Sequence, residues 1–432
     1  MLGISSYPTY ENTEGGWFTR APSHWQVKRL KHIASVNPPS GRAGKDEIVT
    51  FLPMEAVSAF GTYDSTRIDK RRAFPDSLTE FKVGDVILAK ITPCFENGKG
   101  AYIERLDTEK GIGSTEFHVF RVDRSLVEPR FLYYLVRNEE FQSYAETFMI
   151  GTVGQKRLST AFVANSCFPL PSIPEQTRIA AFLDAKTAEI DAAIAKQQRL
   201  IELLQEQKAI LINRAVTRGL DPGARLRESG VAWIGEIPAH WEVKRSKWLF
   251  TPRKERARSD DIQLSATQAY GVISQQEYMD REGRRVTQIT EHLDKRAHVE
   301  IDDFVISMRS FEGGLERAWA SGCIRSSYVV LEPSPQVNVD FFTYLFKSQA
   351  YIEALRRTAN FIRDGQDLNF NNFTLVDLPV IPYEEQQAIA DYLRQATDDL
   401  ARGVALIQRE IELLSEYRSI LISDAVTGKI KV

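Results

Sequence analysis

The residues with the strongest claim to catalysis each lack a necessary neighbour. Asn37-Pro38-Pro39 begins like the Asn/Asp-Pro-Pro-aromatic motif that holds a target amino group in methyltransferases, but Ser40 stands where a ring must stack on a flipped base. A loop turn is expected there. Gly98-Lys99-Gly100 and Gly111-Ile112-Gly113 precede expected strands instead of following a strand and opening a helix, and no Gly-Lys-Ser/Thr phosphate loop occurs. Pro75-Asp76 with Glu80-Phe81-Lys82 imitates part of a metal-dependent nuclease, yet carboxylates this close in sequence cannot be presented around one metal by separate strands; a surface loop is expected. Cys94, Cys167 and Cys323 are scattered singly, without zinc or disulfide spacing, and read as small buried side chains. His24 and His240 sit beside Trp25 and Trp241, where packing is the better reading. No catalytic residue and no metal site is expected.

Basic and amide side chains carry more information. Lys244, Arg245, Lys247, Arg253, Lys254, Arg256 and Arg258 form a run opposed only by Glu255. Such a run can track phosphates, a solvated face being the alternative. Base edges are read by Arg, Lys, Asn, Gln, Ser and Thr, best placed on loops that follow strands. That rule selects Lys90, Thr92, Asn97 and Lys99 in the first half, and Arg309, Ser310, Arg317 and Arg325 in the second. Gln155, Lys156 and Arg157, with Arg363 and Gln366 in the other half, make a second set.

The elements that must position these residues follow from a duplicated chain. At 432 residues, 43% hydrophobic and 26% charged, there is material for two or three ordinary globular domains. Lys plus Arg total 55 against 58 acids, so nucleic-acid binding would have to come from local basic faces. No apolar run reaches the roughly 18 residues of a membrane span, and residues 1–10 lack the pattern of a signal peptide. No membrane association and a cytoplasmic location are expected.

Pro22-Ser23-His24-Trp25-Gln26-Val27-Lys28-Arg29-Leu30-Lys31 recurs, with seven of ten positions identical, as Pro238-Ala239-His240-Trp241-Glu242-Val243-Lys244-Arg245-Ser246-Lys247. Glu175-Gln176, Ile201-Glu202-Leu203-Leu204 and Ala215-Val216-Thr217 recur as Glu385-Gln386, Ile411-Glu412-Leu413-Leu414 and Ala425-Val426-Thr427. The halves diverge between these blocks. The matched tails read as long helices entered through prolines, with acids at the positive end of the dipole, the first ending near Thr217 before Gly219 and Pro222. Ile190, Ile194, Ile201, Leu204 and Leu211 mark a heptad seam in the first helix. Leu400, Val404, Ile407, Ile411, Leu414 and Leu421 mark one in the second, and the seams are interrupted by Gln197, Lys208 and Arg418. At about 1.5 Å per residue a helix over 175–216 reaches roughly 60 Å. The globular parts, about 17–173 and 233–381, mix short apolar strands with amphipathic helices opening at Pro129 and Asp340.

The Pro-x-His-Trp-x-Val-Lys-Arg entry, the proline step into Glu-Gln, the Ile-Glu-Leu-Leu helix and the Ala-Val-Thr-Arg-Gly-Leu-Asp-Pro exit (Ala215 to Pro222) together resemble type I restriction-modification specificity subunits, as does Ser229 to Pro238. The first entry, Gly15 to Arg20, only weakly echoes Val231 to Ile237. The resemblance implies an α+β protein in which two α/β target recognition domains are joined by two long antiparallel helices with an internal pseudo-two-fold repeat. Its divisions would be a first recognition domain at 1–174, a spacer helix at 175–218, a linker at 219–236, a second recognition domain at 237–383 and a second spacer helix at 384–428. It further implies double-stranded DNA as ligand, each domain reading half of a split site and the helices setting the gap between the halves. Two modification subunits would bring S-adenosylmethionine and methylate adenine. Restriction subunits, as ATP-dependent and Mg-dependent translocase/nucleases, would join them. The chain itself would hold no cofactor and be no enzyme; a helical scaffold or stand-alone DNA-binding regulator is the alternative.

Overall fold

The computed structural model describes residues 5–432 apart from 15, 40, 42, 153, 284, 286–294, 308–309, 359, 363–364 and 368; of 360–362 and 365–367 it describes the backbone alone. Two long helices, Ile173–Arg218 and Tyr383–Val426, run through a mixed α/β chain that divides into two compact units. The first is Met1–Gln197 with Arg409–Val432, and the second is Gln198–Gln408. The division thus cuts each long helix part-way along its length. No described helix is long and apolar enough to cross a membrane.

In the first unit, strands Ala34–Val36, Phe117–Val122, Val86–Ala89 and Gly100–Tyr102 lie side by side in that order, all antiparallel. A second sheet orders Ile68–Lys70, Ile48–Leu52, Lys110–Gly113 and Thr79–Phe81, with one parallel pairing at its centre. Val86 to Ala89 are buried on both faces, which is why this strand reads as an unbroken apolar run. Helix Pro129–Val136 opens with proline in its first turn, and Glu128 caps it by accepting from the Phe131 amide.

The second unit repeats this plan where the two sequences no longer match. Phe250–Pro252, Val329–Pro333, Phe304–Ile306 and Glu316–Arg317 form its sheet. Phe250 pairs with Pro333 as Ala34 pairs with Val122, and Phe304 pairs with Leu331 as Val86 pairs with Phe120. His298 faces Cys323 in the next pair of strands as Glu80 faces Ile112 in the first unit. Asn338 caps Val339–Lys347 in the place of Glu128. A cluster of fully buried rings, among them Trp241, Phe250, Phe304, Phe341 and Tyr351, fills this unit's core. Removal of each such side chain from water contributes on the order of 2 to 3 kcal/mol.

The weak echo at the chain's first entry hides the same structure. Tyr10–Asn12 pairs with Arg20–Pro22 as Leu226–Glu228 pairs with Glu236–Pro238. Trp17 Nε1 donates to the Cys167 carbonyl at 2.8 Å and Trp233 Nε1 to that of Asp377 at 3.1 Å. The repeat therefore extends to the N-terminal hairpin even where letters differ.

The Glu-Gln steps are the joints between globular part and helix. Glu175 accepts from Trp25 Nε1 at 3.2 Å and pairs with His24 Nε2 at 3.1 Å; Glu385 does the same with Trp241 at 3.1 Å and His240 at 2.8 Å. Gln176 is buried, its Oε1 accepting from the Glu128 amide and its Nε2 donating to the carbonyls of Leu126 and Pro171. Gln386 makes the matching bonds to Asn338, Gln336 and Ile381. Helix-dipole compensation alone, the reading from sequence, understates these acids, since they satisfy indole donors that burial would otherwise orphan.

Seam residues Ile190, Ile194 and Leu421 are buried in the first unit, with Ile411 and Leu414 packed on the same core. Ile201, Leu204, Leu211, Leu400, Val404 and Ile407 are half-buried, while Leu200, Leu203, Ile210, Leu406 and Leu413, off the seam, are exposed. Two polar interruptions are ties between the helices of the first unit. Gln197 Nε2 donates to Glu410 Oε2 at 2.8 Å, and Arg418 grips Asp191 with Nε and a terminal nitrogen at 2.9 and 3.2 Å. As position 191 meets 418 and 197 meets 410, the two segments run antiparallel. The first helix stops at Arg218 because Gly219 turns left-handed, φ +72°.

Candidate nucleic-acid interface

In the first unit, two sets of residues chosen separately from the sequence meet. Strand Val86–Ala89 delivers Lys90, and hairpin Ile150–Thr152/Gln155–Arg157 folds back beside it. The Leu158 amide donates to the Lys90 carbonyl at 2.8 Å, the Thr92 amide to the Lys156 carbonyl at 3.0 Å, and the Lys156 amide to Thr92 Oγ1 at 3.0 Å. The cluster thus offers half-buried Lys90 and exposed Gln155, Lys156 and Asn97 on one connected backbone.

Other members are spent inside the fold. Thr92 is buried and its hydroxyl accepts from Lys156, so it shapes the loop rather than facing outward. Lys99 Nζ donates to the Met54 carbonyl at 3.2 Å. Arg157 makes a forked pair with Glu116 at 2.8 and 3.1 Å, which holds its pKa above the ordinary value. Asn37 lies at φ +52° and uses both ends of its amide inward, on the Val119 amide and the His118 ring, consistent with a turn and not a methyl-transfer site. Glu80 accepts from the Ala43 amide and lies 4.0 Å from buried Arg71. Among the described residues no cluster of His, Cys, Asp or Glu could hold a metal ion.

The second unit carries a groove of about 480 Å³ between loop 253–256 and residues 295–297, floored by Val329 and Val330. Lys254, Arg256 and Lys295 line it, all exposed and without a carboxylate partner among the described residues. Arg296, only 6% exposed, bonds Gln263 through one terminal nitrogen, and its Nε finds no partner among the described residues. A buried guanidinium N–H without an acceptor is costly, and an anion in the groove would relieve it. Exposed Arg325 precedes Ser326 on the groove's rim.

Several second-half candidates are engaged by their surroundings. Arg253 belongs to the basic run but points inward, forking onto Asp303 at 2.7 and 2.9 Å with side-chain exposures of 12% and 1%. Asp303 is buried at a turn where its charge must be paired, and the pairing raises the Arg253 pKa further. Arg258 bridges Glu255 at 2.8 Å and Glu300 at 3.0 Å. Ser310 is 1% exposed and its hydroxyl accepts from the Ser307 amide at 2.9 Å, a bond within its own turn. Arg317 is clamped by Asp302 and Asp340 and stacks 4.2 Å above Trp319. Arg309 and Arg363 lie outside the described residues, as does the side chain of Gln366, whose backbone belongs to strand Gly365–Asp367. Lys295 and Arg296 were missed; a Lys-Arg pair directly before strand Ala297–Val299 was the available signal.

Comparison with known proteins gives this geometry its context. Residues 64–203 match the family model described as type I restriction modification DNA specificity domain. The chain is 34% identical over 159 residues to the EcoAI specificity subunit of Escherichia coli, an alignment covering 37% of this chain and 27% of that protein. The EcoEI subunit matches to the same extent, so the chain spans about a quarter of the length of these relatives. A putative MjaX specificity subunit of Methanocaldococcus jannaschii is 23% identical over 100% of this chain and 99% of its own. In fold, the chain resembles one from the type I R-M system solved for its complex assembly and conformational transition, at TM-score 0.70, 19% identity, and 94% and 99% coverage. It also resembles the HsdS subunit of Thermoanaerobacter tengcongensis, at TM-score 0.54, 19% identity, and 96% and 100% coverage. A family domain over 64–203, an end-to-end relative and a shared α+β fold thus make the chain similar to the type I restriction-modification specificity subunits.

Proposed function

We propose that this chain is the non-catalytic, DNA-reading subunit of a type I restriction-modification assembly, each globular part reading one half of a split duplex site. The observation that carries this reading is the groove of the second unit, where Lys254, Arg256, Lys295 and underlying Arg296 have no carboxylate partner among the described residues, in a chain that bears the family's domain. Cations without carboxylate partners are the ones free to replace counterions along a phosphate backbone. Lys90, Asn97, Gln155 and Lys156 are their counterparts in the first unit, offering amide and ammonium groups of the kind that read base edges. Modification subunits carrying S-adenosylmethionine would methylate adenine, and restriction subunits using ATP and Mg would translocate and cut. The long helices would serve as the spacers on which modification subunits dock. Exchanging residues 17–173 for the equivalent part of a relative, and mapping methylated adenines in cells with the cognate partners, tests the reading. One half of the methylated site should change and the other persist; a change in both halves overturns independent reading.

A further inference from the structure

His298 lies behind the cationic groove, 1% exposed, on strand Ala297–Val299. Its Nδ1 is 2.8 Å from Asp261 Oδ2 and its Nε2 is 2.9 Å from Glu300 Oε1. A carboxylate accepts and does not donate, so facing one with each nitrogen requires an N–H on both: the geometry is that of an imidazolium. The strand bearing His298 is also laced to the groove's basic loop by backbone. The His298 amide donates to the Glu255 carbonyl at 3.1 Å, the Ala257 amide to the Arg296 carbonyl at 3.0 Å, and Arg256 bridges Ala297. Among the described residues, the buried side-chain anchor of loop 253–261, which carries Lys254 and Arg256, on the strand that follows Lys295 and Arg296 is the contact of Asp261 with His298.

We infer that His298 is a positioning residue for this groove, its imidazolium holding the basic loop against the strand so that both cationic walls face one phosphate track. The inference rests on the reading of the groove as a DNA contact. Among the described residues the charged groups that face the ring are Asp261 from the loop, Glu300 from its own strand's end, and Arg258, which itself bridges Glu255 and Glu300. Cys323 lies opposite on strand Gly322–Ile324, its thiol pushed up by burial. Glu300 is further held by Ser321, and its carboxyl is drawn down to about 2, by its bond to His298 above all. Burial alone opposes the imidazolium, but the bonds to Asp261 and Glu300 outweigh it and the ring's pKa lies above its ordinary value. A histidine raised in the folded state supports the fold fully below its ordinary value, and that support fades as pH rises through the folded value. The first unit puts Glu80 at the corresponding strand position, against buried Arg71, a pair with no histidine in it.

The test uses the full chain. Hydrogen exchange of the peptide spanning 254–261, corrected for intrinsic rates, should show protection that falls as pH is raised from histidine's ordinary pKa through the range above it, where a raised histidine loses its proton. His298→Gln should lower the loop's protection throughout that range and remove its dependence on pH. Asp261→Asn, which spares the strand, should do the same and serves if His298→Gln fails to fold. Equal and pH-independent protection in wild type and both variants overturns the inference. In parallel, affinity for a short mixed-sequence duplex at low salt should fall about tenfold across the same range in wild type and stay flat in His298→Gln, as expected for weakening two phosphate contacts. Loop protection that follows His298 while duplex affinity does not change would uphold the positioning role and remove the groove from the DNA-binding reading.

Discussion

The buried histidine of the first unit has the opposite titration behaviour, and its consequence can be worked out in full. His118 is fully buried in strand Phe117–Val122, with Nε2 2.9 Å from the Leu158 carbonyl and Nδ1 3.3 Å from Asn37 Nδ2. The carbonyl can only accept, so Nε2 carries the proton and Nδ1 is the bare acceptor. Asn37 cannot flip to welcome a second proton, because its Oδ1 already accepts from the Val119 amide at 2.9 Å. Burial first, and Lys90 nearby, push the His118 pKa from 6.5 down to about 4, against the pull of the Leu158 carbonyl. Between these values the unfolded chain binds more protons than the folded one, so stability is complete above the unfolded value and is lost as pH falls. The ceiling of that loss is about 3 kcal/mol, and about 2 kcal/mol of it falls between about pH 7 and about pH 5. Hydrogen exchange of peptides covering 86–89 and 117–122, corrected for intrinsic rates, should show openings about 25-fold more frequent at the lower pH. His118→Gln keeps a donor toward Leu158 and cannot titrate, so its protection should vary much less. An identical pH slope in wild type and variant would refute the assignment of a neutral His118.

Two further expectations follow from particular contacts. Gly428 lies at φ +75°, and a Cβ there would come within 2.5 Å of Pro22 Cδ; Gly428→Val should destabilise the first unit by about 2 kcal/mol or more, leaving exchange protection in the second unit intact. Replacing Lys254 and Arg256 together by alanine removes two phosphate contacts, so the slope of log affinity against log salt should become shallower by about 1.8 for any duplex sequence; an unchanged slope would place the DNA elsewhere.

Much of the framework was legible because its signals are local or periodic. The seams follow from a step of three or four residues, and the apolar run Val86 to Ala89 records burial on both faces. The interruptions Gln197 and Arg418 become intelligible only when their partners Glu410 and Asp191, more than two hundred positions away, are seen opposite them. The same holds for Glu175 and Gln176, whose types suit a helix start yet whose bonds reach Trp25 and Leu126. Charge runs mislead for a related reason. Arg253 and Lys254 are neighbours in one basic segment, but only the structure puts Asp303 beneath the first and, among the described residues, no carboxylate against the second. The set of free cations is smaller than the set of cations, and the difference is decided by carboxylates distant in sequence.

The equivalence of the two middles was hidden by a change of partner. Asp85 is 1% exposed and its two oxygens meet Arg121 Nε at 2.8 Å and a terminal nitrogen at 2.7 Å. The Lys82 amide also donates to it, as the Glu300 amide donates to Asp303. Asp303 therefore occupies the same turn, yet its guanidinium comes from Arg253, and in the register of the two sheets Arg253 stands in the place of Asn37. Where the first unit has Arg121 the second has Glu332, which lies 3.7 Å from the same Arg253. What burial demands is that the carboxylate be paired, since an isolated buried charge costs several kcal/mol; it does not demand that the cation come from a particular strand. Moving the arginine from one strand to the other satisfies that demand while reversing the charge at the vacated position and changing which residues remain free at the rim. A framework that fixes pairing but not the pairing strand can keep its sheets while presenting different side chains at the rim.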